Sequence, residues 1–214
     1  MSATEHQERI DAATGAVVYA ALRAVDAVQT AVGVQPPKRR LTDQERALLF
    51  PIFRDSLAYD LIEVVDGRAG LLTVSGRALT MGFTIYLPKY REKTLVHECI
   101  HVWQFQHARY RYIGNSMFNQ LHSVVFDRAY QPYDWRPGIN AGTPWSQLDG
   151  VEAQAKFVED VYAHGAFNFD APETPEDKAP GAFFREDDAG HNAFVDGDRD
   201  YTREANAAWQ TIRA

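Results

Sequence analysis

Residues 94–106 read Thr94-Leu95-Val96-His97-Glu98-Cys99-Ile100-His101-Val102-Trp103-Gln104-Phe105-Gln106. Apolar residues recur here at helical spacing after a break at Pro88, which predicts a helix, called the motif helix below, over residues 90 to about 109. Residues four apart lie one above the other on the same helical face, so the side chains of His97 and His101 can reach one ion. Two imidazoles at this spacing predict a tetrahedral zinc site.

Glu98 directly follows the first of these histidines. It is turned by about 100° around the helix axis from His97, so its carboxylate can approach a water molecule on the metal without competing for the metal. A carboxylate so placed can take a proton from that water, which makes Glu98 the candidate catalytic base. Cys99 projects away from both histidines, and we interpret it as a small buried core residue without a catalytic role.

A hydrolytic zinc site uses three protein ligands and leaves a fourth position for water, so a third ligand is expected downstream of His101. Glu152 fits best, because it opens a predicted helix over residues 150 to about 164, and small neighbours allow that helix to pack closely against the motif helix. The alternative is that Glu152 is only an acidic residue favoured in the first turn of a helix.

His107 competes for the role of third ligand, because some zinc sites add a third histidine to this motif after a glycine that turns the chain. The position of that glycine is occupied by Gln104. Without the turn, the motif helix continues and carries His107 about 15 Å along the axis from His97, too far to share an ion.

The sequence of residues 94–106 resembles the active-site helix of a largely uncharacterised bacterial group of zincin metallopeptidases, often encoded near Rhs, contractile-injection and secretion systems. The resemblance covers roughly positions 41 to 165. Its further matching elements are Leu41-Thr42, Ile52-Phe53-Arg54-Asp55-Ser56, Thr84-Ile85-Tyr86 and Glu152-Ala153-Gln154-Ala155. The last element resembles the glutamate helix of gluzincins, the thermolysin-like branch, in which a glutamate completes the two-histidine site.

This resemblance implies a gluzincin-like zinc peptidase, in which a metal-activated water attacks a peptide or protein substrate and Glu98 is the general base. The Zn²⁺ ligands it implies are His97, His101 and Glu152. Lys156 departs from the pattern, because gluzincins carry an acid one turn after the glutamate. Two alternatives stay open: a non-catalytic zincin-fold module for interaction or assembly in a secretion system, and an amidase that acts on cell-wall peptides.

Substrate binding needs further groups around such a site. An oxyanion formed on the substrate requires a donor, and Tyr130, Tyr133 and His122 are open candidates. The predicted strand over residues 83–87 can offer its edge to an extended peptide, because backbone pairing binds peptides with little regard to their sequence. Residues 196–200 begin like a calcium loop but lack its later glycine and glutamate, which favours a solvated acidic turn.

The chain as a whole predicts an α+β, zincin-like fold that is predominantly helical, with a small, mainly antiparallel sheet followed by the motif helix and further helices. Thr42 and Glu45 have the spacing of a capping box, which predicts a helix to about Phe53. The predicted strands are residues 61–65, 71–75 and 82–87, the further helices are 115–126, 150–164 and 201–212, and residues 170–200 are predicted to be irregular.

The N-terminal residues 1–35 are predicted as an amphipathic helix before a zincin-like metallopeptidase domain, residues 36–214, with a helical C-terminal end. Residues 35–40 break the helical pattern with two prolines and three charged residues, which predicts a linker. The apolar stripe of this helix packs either on its own domain or on a second copy or partner helix. The stripe consists of Val18, Leu22, Val25, Val28 and Val32.

Composition limits the class of protein. An apolar content of 45% in 214 residues supports one domain with a substantial core, and the net charge of -7 opposes nucleic-acid binding. Arg23 and Asp26 interrupt the most apolar stretch, which argues against a transmembrane segment. The acidic N-terminus lacks the features of a secretory signal. We therefore expect a cytoplasmic protein, or one exported by a specialised secretion system without a cleavable signal peptide.

Overall fold

The computed structural model describes residues 3–73, 76–108, 132–163 and 194–214. The helices are α1 (Ala3–Ala31), α2 (Asp43–Phe53), α3 (Glu92–Ala108), α4 (Arg136–Asn140), α5 (Val151–Ala163) and α6 (Thr202–Arg213). The strands are β1 (Arg39–Arg40), β2 (Glu63–Asp66), β3 (Leu79–Met81), β4 (Thr84–Leu87), β5 (Val195–Asp196) and β6 (Arg199–Asp200). The predicted α+β class, with a small sheet and mostly helical structure, is confirmed.

The main sheet has the strand order β1-β2-β4-β3. Strand β1 pairs antiparallel with β2, β2 pairs parallel with β4, and β4 pairs antiparallel with β3. Strand β4 therefore has a neighbour on both sides, and the expectation that residues 83–87 offer an open edge is wrong. The edge near the motif helix belongs to β3 instead.

The prediction of a strand at residues 71–75 is also wrong for residues 71–73, the part of this range that the structure describes. Gly70–Thr73 form a short 3-10 turn, closed by a hydrogen bond from the backbone of Ala69 to the hydroxyl of Thr73. Strand β3 was not predicted, because three residues are too few for a periodic signal. Gly82 makes the tight turn from β3 to β4 at φ 66°, and a side chain there would meet the Tyr19 hydroxyl at 3.0 Å.

Alternating residues of the strands face opposite sides of the sheet, as a pleated backbone requires. On one side Val64, Ile85 and Leu87 join the main core, which also holds the buried residues of α3, α5 and α6. On the other side Met81 and Tyr86 belong to a smaller core that α1 covers. The residues of α1 packed there are Tyr19, Leu22 and Val25.

Helix α1 is also held to the sheet by polar contacts. Asp26 is 2% exposed and accepts hydrogen bonds of 2.7 Å from the Tyr86 hydroxyl, from Gln35 and from Lys38. Only part of the predicted apolar stripe is buried. Leu22 and Val25 pack against the sheet, whereas Val28 and Val32 are exposed. Strand β1 lies within the segment predicted to be a linker.

The remaining helical predictions agree with the structure within the described ranges. Thr42 and Glu45 form both bonds of the predicted capping box at the start of α2, and Pro51 is accommodated inside that helix. Helix α6 packs against α2, and the indole of Trp103 donates to the carbonyl of Ile212 at 3.0 Å. The helix predicted at 115–126 and most of the irregular segment 170–200 lie outside the described residues. Among the described helices, none combines the length and apolarity needed to cross a bilayer.

Candidate metal centre

Helices α3 and α5 pack against each other beneath the sheet, and this contact builds the site. On α3, Leu95, Val96 and Ile100 are fully buried and fix the rotation of the motif helix. On α5, Ala153 and Ala155 are buried, so the two helices approach closely, as the small side chains predict. Close approach brings the side chains His97, His101 and Glu152 together, all of them buried.

The three predicted ligands converge on a common point. Oε2 of Glu152 lies 3.3 Å from Nε2 of His97 and 3.2 Å from Nε2 of His101, and all three ligand atoms lie within 4.8 Å of one another. Donor atoms about 2.0–2.1 Å from one tetrahedral zinc ion stand about 3.3–3.4 Å apart. Two separations thus match a tetrahedral site, and this buried cluster can hold a metal ion.

The other ring nitrogens of both histidines face acceptors. Nδ1 of His101 donates to Oε1 of Gln104 at 2.8 Å, and the Gln104 amide is itself held by hydrogen bonds to Val151 and Gln154 on or beside α5. Nδ1 of His97 lies 3.1 Å from Oε2 of Glu159. A proton kept at Nδ1 leaves the lone pair of Nε2 for a metal.

Charge holds the cluster together. Burial disfavours the cationic form of His97, but the adjacent carboxylates of Glu152 and Glu159 outweigh burial and raise the pKa of His97 to about 10. Burial would likewise raise the pKa of Glu152, yet His101 and His97 outweigh it and hold that pKa well below its usual range. A metal ion that enters the cluster therefore has to displace a proton from His97.

Glu98 is buried beside the cluster but is not one of its three members. Its Oε2 accepts a hydrogen bond of 2.7 Å from the hydroxyl of Thr80 on the edge strand β3. Burial raises the pKa of Glu98, although His97, His101 and the Thr80 hydroxyl oppose that rise. A carboxylate with a raised pKa is a stronger base, which suits the acceptance of a proton.

No family model, curated protein or solved structure matches this chain. The chemistry assigned to the cluster therefore rests on its geometry and on its donor atoms.

One of the three candidate oxyanion donors lies next to the cluster. The ring centroid of Tyr133 is 6.2 Å from that of His97, whereas Tyr130 and His122 lie outside the described residues. Burial raises the pKa of Tyr133, Glu152 adds to the rise, and Arg77 opposes it through its charge and a hydrogen bond. The Tyr133 hydroxyl therefore stays protonated at neutral pH and can donate.

Other singled-out residues lie apart from the cluster. His107 is exposed in the last turn of α3 and donates from Nδ1 to the carbonyl of Trp103 at 2.7 Å. Cys99 is fully buried in the main core. Lys156 forms ion pairs with Glu159 and Asp160 on its own helix. Strands β5 and β6 make residues 195–200 a short hairpin with Gly197 in its turn.

Three residues that contact Glu98 or the ligands could not be assigned to the site from the sequence as it was read above: Thr80, Gln104 and Glu159. Two of them had a detectable signal, because Gln104 lies one turn beyond His101 and Glu159 lies two turns beyond Glu152, each on the ligand's own helical face. Thr80 had none, since its contact with Glu98 depends on how the sheet packs against α3.

Proposed function

We propose that this chain is a zinc-dependent hydrolase of the gluzincin-like type that cleaves peptide bonds. The observation that carries the proposal is the convergence of His97 Nε2, His101 Nε2 and Glu152 Oε2, with Glu98 buried beside them and held by another partner. Three protein ligands leave a position for water, which is the arrangement of hydrolytic rather than structural zinc sites.

The donor set supports zinc as the metal. Two imidazole nitrogens and one carboxylate oxygen, with two of their three separations at tetrahedral spacing, suit Zn²⁺, whereas Ca²⁺ and Mg²⁺ prefer more ligands and mainly oxygen. Zinc held by His97, His101 and Glu152 would lower the pKa of a water molecule towards neutrality and polarise a substrate carbonyl.

Glu98 is assigned the proton transfers. Its Oε2 is engaged by Thr80, so we assign Oε1 to accept the proton of the attacking water and to pass it to the leaving amine. Tyr133 is assigned to donate a hydrogen bond to the oxyanion that develops on the substrate carbonyl, because its hydroxyl stays protonated and it lies beside His97.

The substrate class is a peptide bound in an extended conformation. Strand β3 lies at the edge of the sheet and carries Thr80, which touches the proposed base, so a chain paired to this edge would pass close to the site. Backbone pairing at an edge strand holds peptides through main-chain hydrogen bonds, which predicts broad rather than narrow sequence preference.

Digestion profiling tests this function. Purified protein loaded with zinc is incubated with denatured casein, a peptide library and cell-wall fragments, beside the variant Glu98→Gln. We expect cleavage of casein or library peptides by the wild type and a loss of about 100-fold or more in the variant, which keeps its zinc. Cleavage confined to cell-wall fragments would assign the amidase alternative, and equal activity of both proteins would reject the mechanism.

A further inference from the structure

We propose that Glu159 is a positioning residue for His97, which orients its ring and keeps its proton on Nδ1 so that Nε2 binds the metal. The inference rests on the proposed zinc site and concerns a residue outside the three ligands. Helix α5 would then supply both the ligand Glu152 and the carboxylate that contacts Nδ1 of the ligand His97.

The first support is that one ring nitrogen of His97 is buried and needs a hydrogen-bond partner. Its Nδ1 is buried and makes no well-aligned hydrogen bond with the described residues. A buried N–H group without an acceptor costs free energy, so a nearby acceptor is expected to bind it. Oε2 of Glu159 lies 3.1 Å from Nδ1 of His97, which is within hydrogen-bond distance. Only the angle at the N–H group has to improve for a hydrogen bond to form.

The second support is the way Glu159 itself is held. Its Oε1 lies 3.5 Å from Nζ of Lys93 on α3 and 3.5 Å from Nζ of Lys156 on α5. Its Oε2 faces His97, and the side chain is only 15% exposed. The two oxygens are thus divided between the lysines and the imidazole, which restrains the carboxylate against the ring.

The third support is the comparison between the two histidines. His101 has its Nδ1 held by an amide oxygen of Gln104, at 2.8 Å. His97 meets a carboxylate at the same ring position. Partners of this kind fix the tautomer and direction of a metal-binding imidazole, and their removal weakens metal affinity by about 10- to 100-fold.

Zinc affinity tests the inference. The dissociation constant for zinc is measured by competition with a chelating dye, for wild type, Glu159→Ala and Glu159→Gln. We expect about 100-fold weaker binding for the alanine variant and about 10-fold for the glutamine variant, because an amide oxygen retains an acceptor but loses the charge. The matched control is Asp160→Asn, the next residue on α5, which pairs with Lys156 but not with His97; we expect its affinity to stay within about threefold.

A second readout separates positioning from general stability. The metal-free Glu159→Gln protein should still unfold in one cooperative thermal transition, which shows that it is folded, and the absorption spectrum of bound Co²⁺ should change in the variant. Affinities of both Glu159 variants within about threefold of wild type overturn the inference, and Glu159→Gln decides alone if the alanine variant does not fold. Failure of the wild type to bind stoichiometric zinc would instead remove the proposed function.

Discussion

The hydroxyl of Thr80 donates a hydrogen bond of 2.7 Å to Oε2 of Glu98, and the same oxygen atom of Thr80 lies 3.2 Å from the Glu98 carbonyl. The donor stands on the edge strand β3 and the acceptor on helix α3. One side chain therefore joins the strand proposed to bind substrate to the residue proposed as base. Both partners are buried, so water does not compete for the bond.

Replacing Thr80 by Val removes the hydroxyl and keeps the shape of the side chain. A hydrogen bond to a charged group contributes about 1.5–3 kcal/mol, and about 1.4 kcal/mol corresponds to a tenfold rate change. We expect kcat/KM to fall about 10- to 100-fold on a peptide identified by digestion profiling. Zinc affinity should be unchanged, and Thr80→Ser should retain most of the activity. Full activity of the valine variant would show that Thr80 does not position the base.

The ligand assignment predicts which residues hold the metal. His97→Ala, His101→Ala and Glu152→Ala should each lose stoichiometric zinc after dialysis, as measured by elemental analysis. His107→Ala is the matched control, because His107 is exposed and bonded to Trp103 away from the cluster, and it should keep one zinc per chain. Retention of zinc by Glu152→Ala together with its loss from His107→Ala would make His107 the third ligand.

Local signals explain which parts of the fold could be predicted. The motif helix, the capping box of Thr42 and Glu45, and the helix that opens near Glu152 depend on residues within one or two turns of one another, so the sequence alone predicts them. Strand β3 and the turn Gly70–Thr73 could not be predicted in this way. Each consists of a few residues whose conformation is set by packing under α1 and beside β4.

The same distinction applies to the candidate site. His97, Glu98 and His101 share one helix, and their spacing is sufficient to single them out. Glu152 could be suspected from its helix, but its distance of 3.2 Å from His101 depends on how α5 packs on α3. The contacts of Thr80 and Glu159 likewise join separate elements, and no pattern in the sequence states which elements meet.

Metal removal should lower the stability of the folded chain. A ligand that binds only the folded state stabilises it by about 2.7 kcal/mol when its free concentration is 100 times the dissociation constant. We expect thermal unfolding to shift to lower temperature when a chelator is added to the zinc-loaded protein. Glu98→Gln should show the same shift as wild type, because Glu98 is not a ligand, whereas His101→Ala should show none. A chelator-dependent shift in His101→Ala would indicate a second zinc site.

Asp26 predicts a dependence of stability on pH. Burial alone would raise its pKa, but hydrogen bonds from Lys38, Gln35 and Tyr86 outweigh burial and lower the pKa below the ordinary 3.8. A carboxyl group with a lowered pKa in the folded state contributes stability above its ordinary pKa, and this contribution is lost as the pH falls through the folded-state value. The stabilisation from Asp26 should therefore be complete at pH 7 and decline below about pH 4.

Replacing Asp26 by Asn leaves Lys38 without its buried partner and weakens the attachment of α1 to the sheet. We expect a loss of about 2–4 kcal/mol in the free energy of unfolding at pH 7, measured by urea denaturation, and a smaller loss at pH 3. Asp60→Asn is the control, because Asp60 pairs with Arg46 but its side chain is 90% exposed, and its loss should stay within about 1 kcal/mol. Equal losses of unfolding free energy in the two variants would mean that burial does not strengthen the Asp26 contacts. A loss in Asp26→Asn that grows on acidification would contradict the lowered pKa of Asp26.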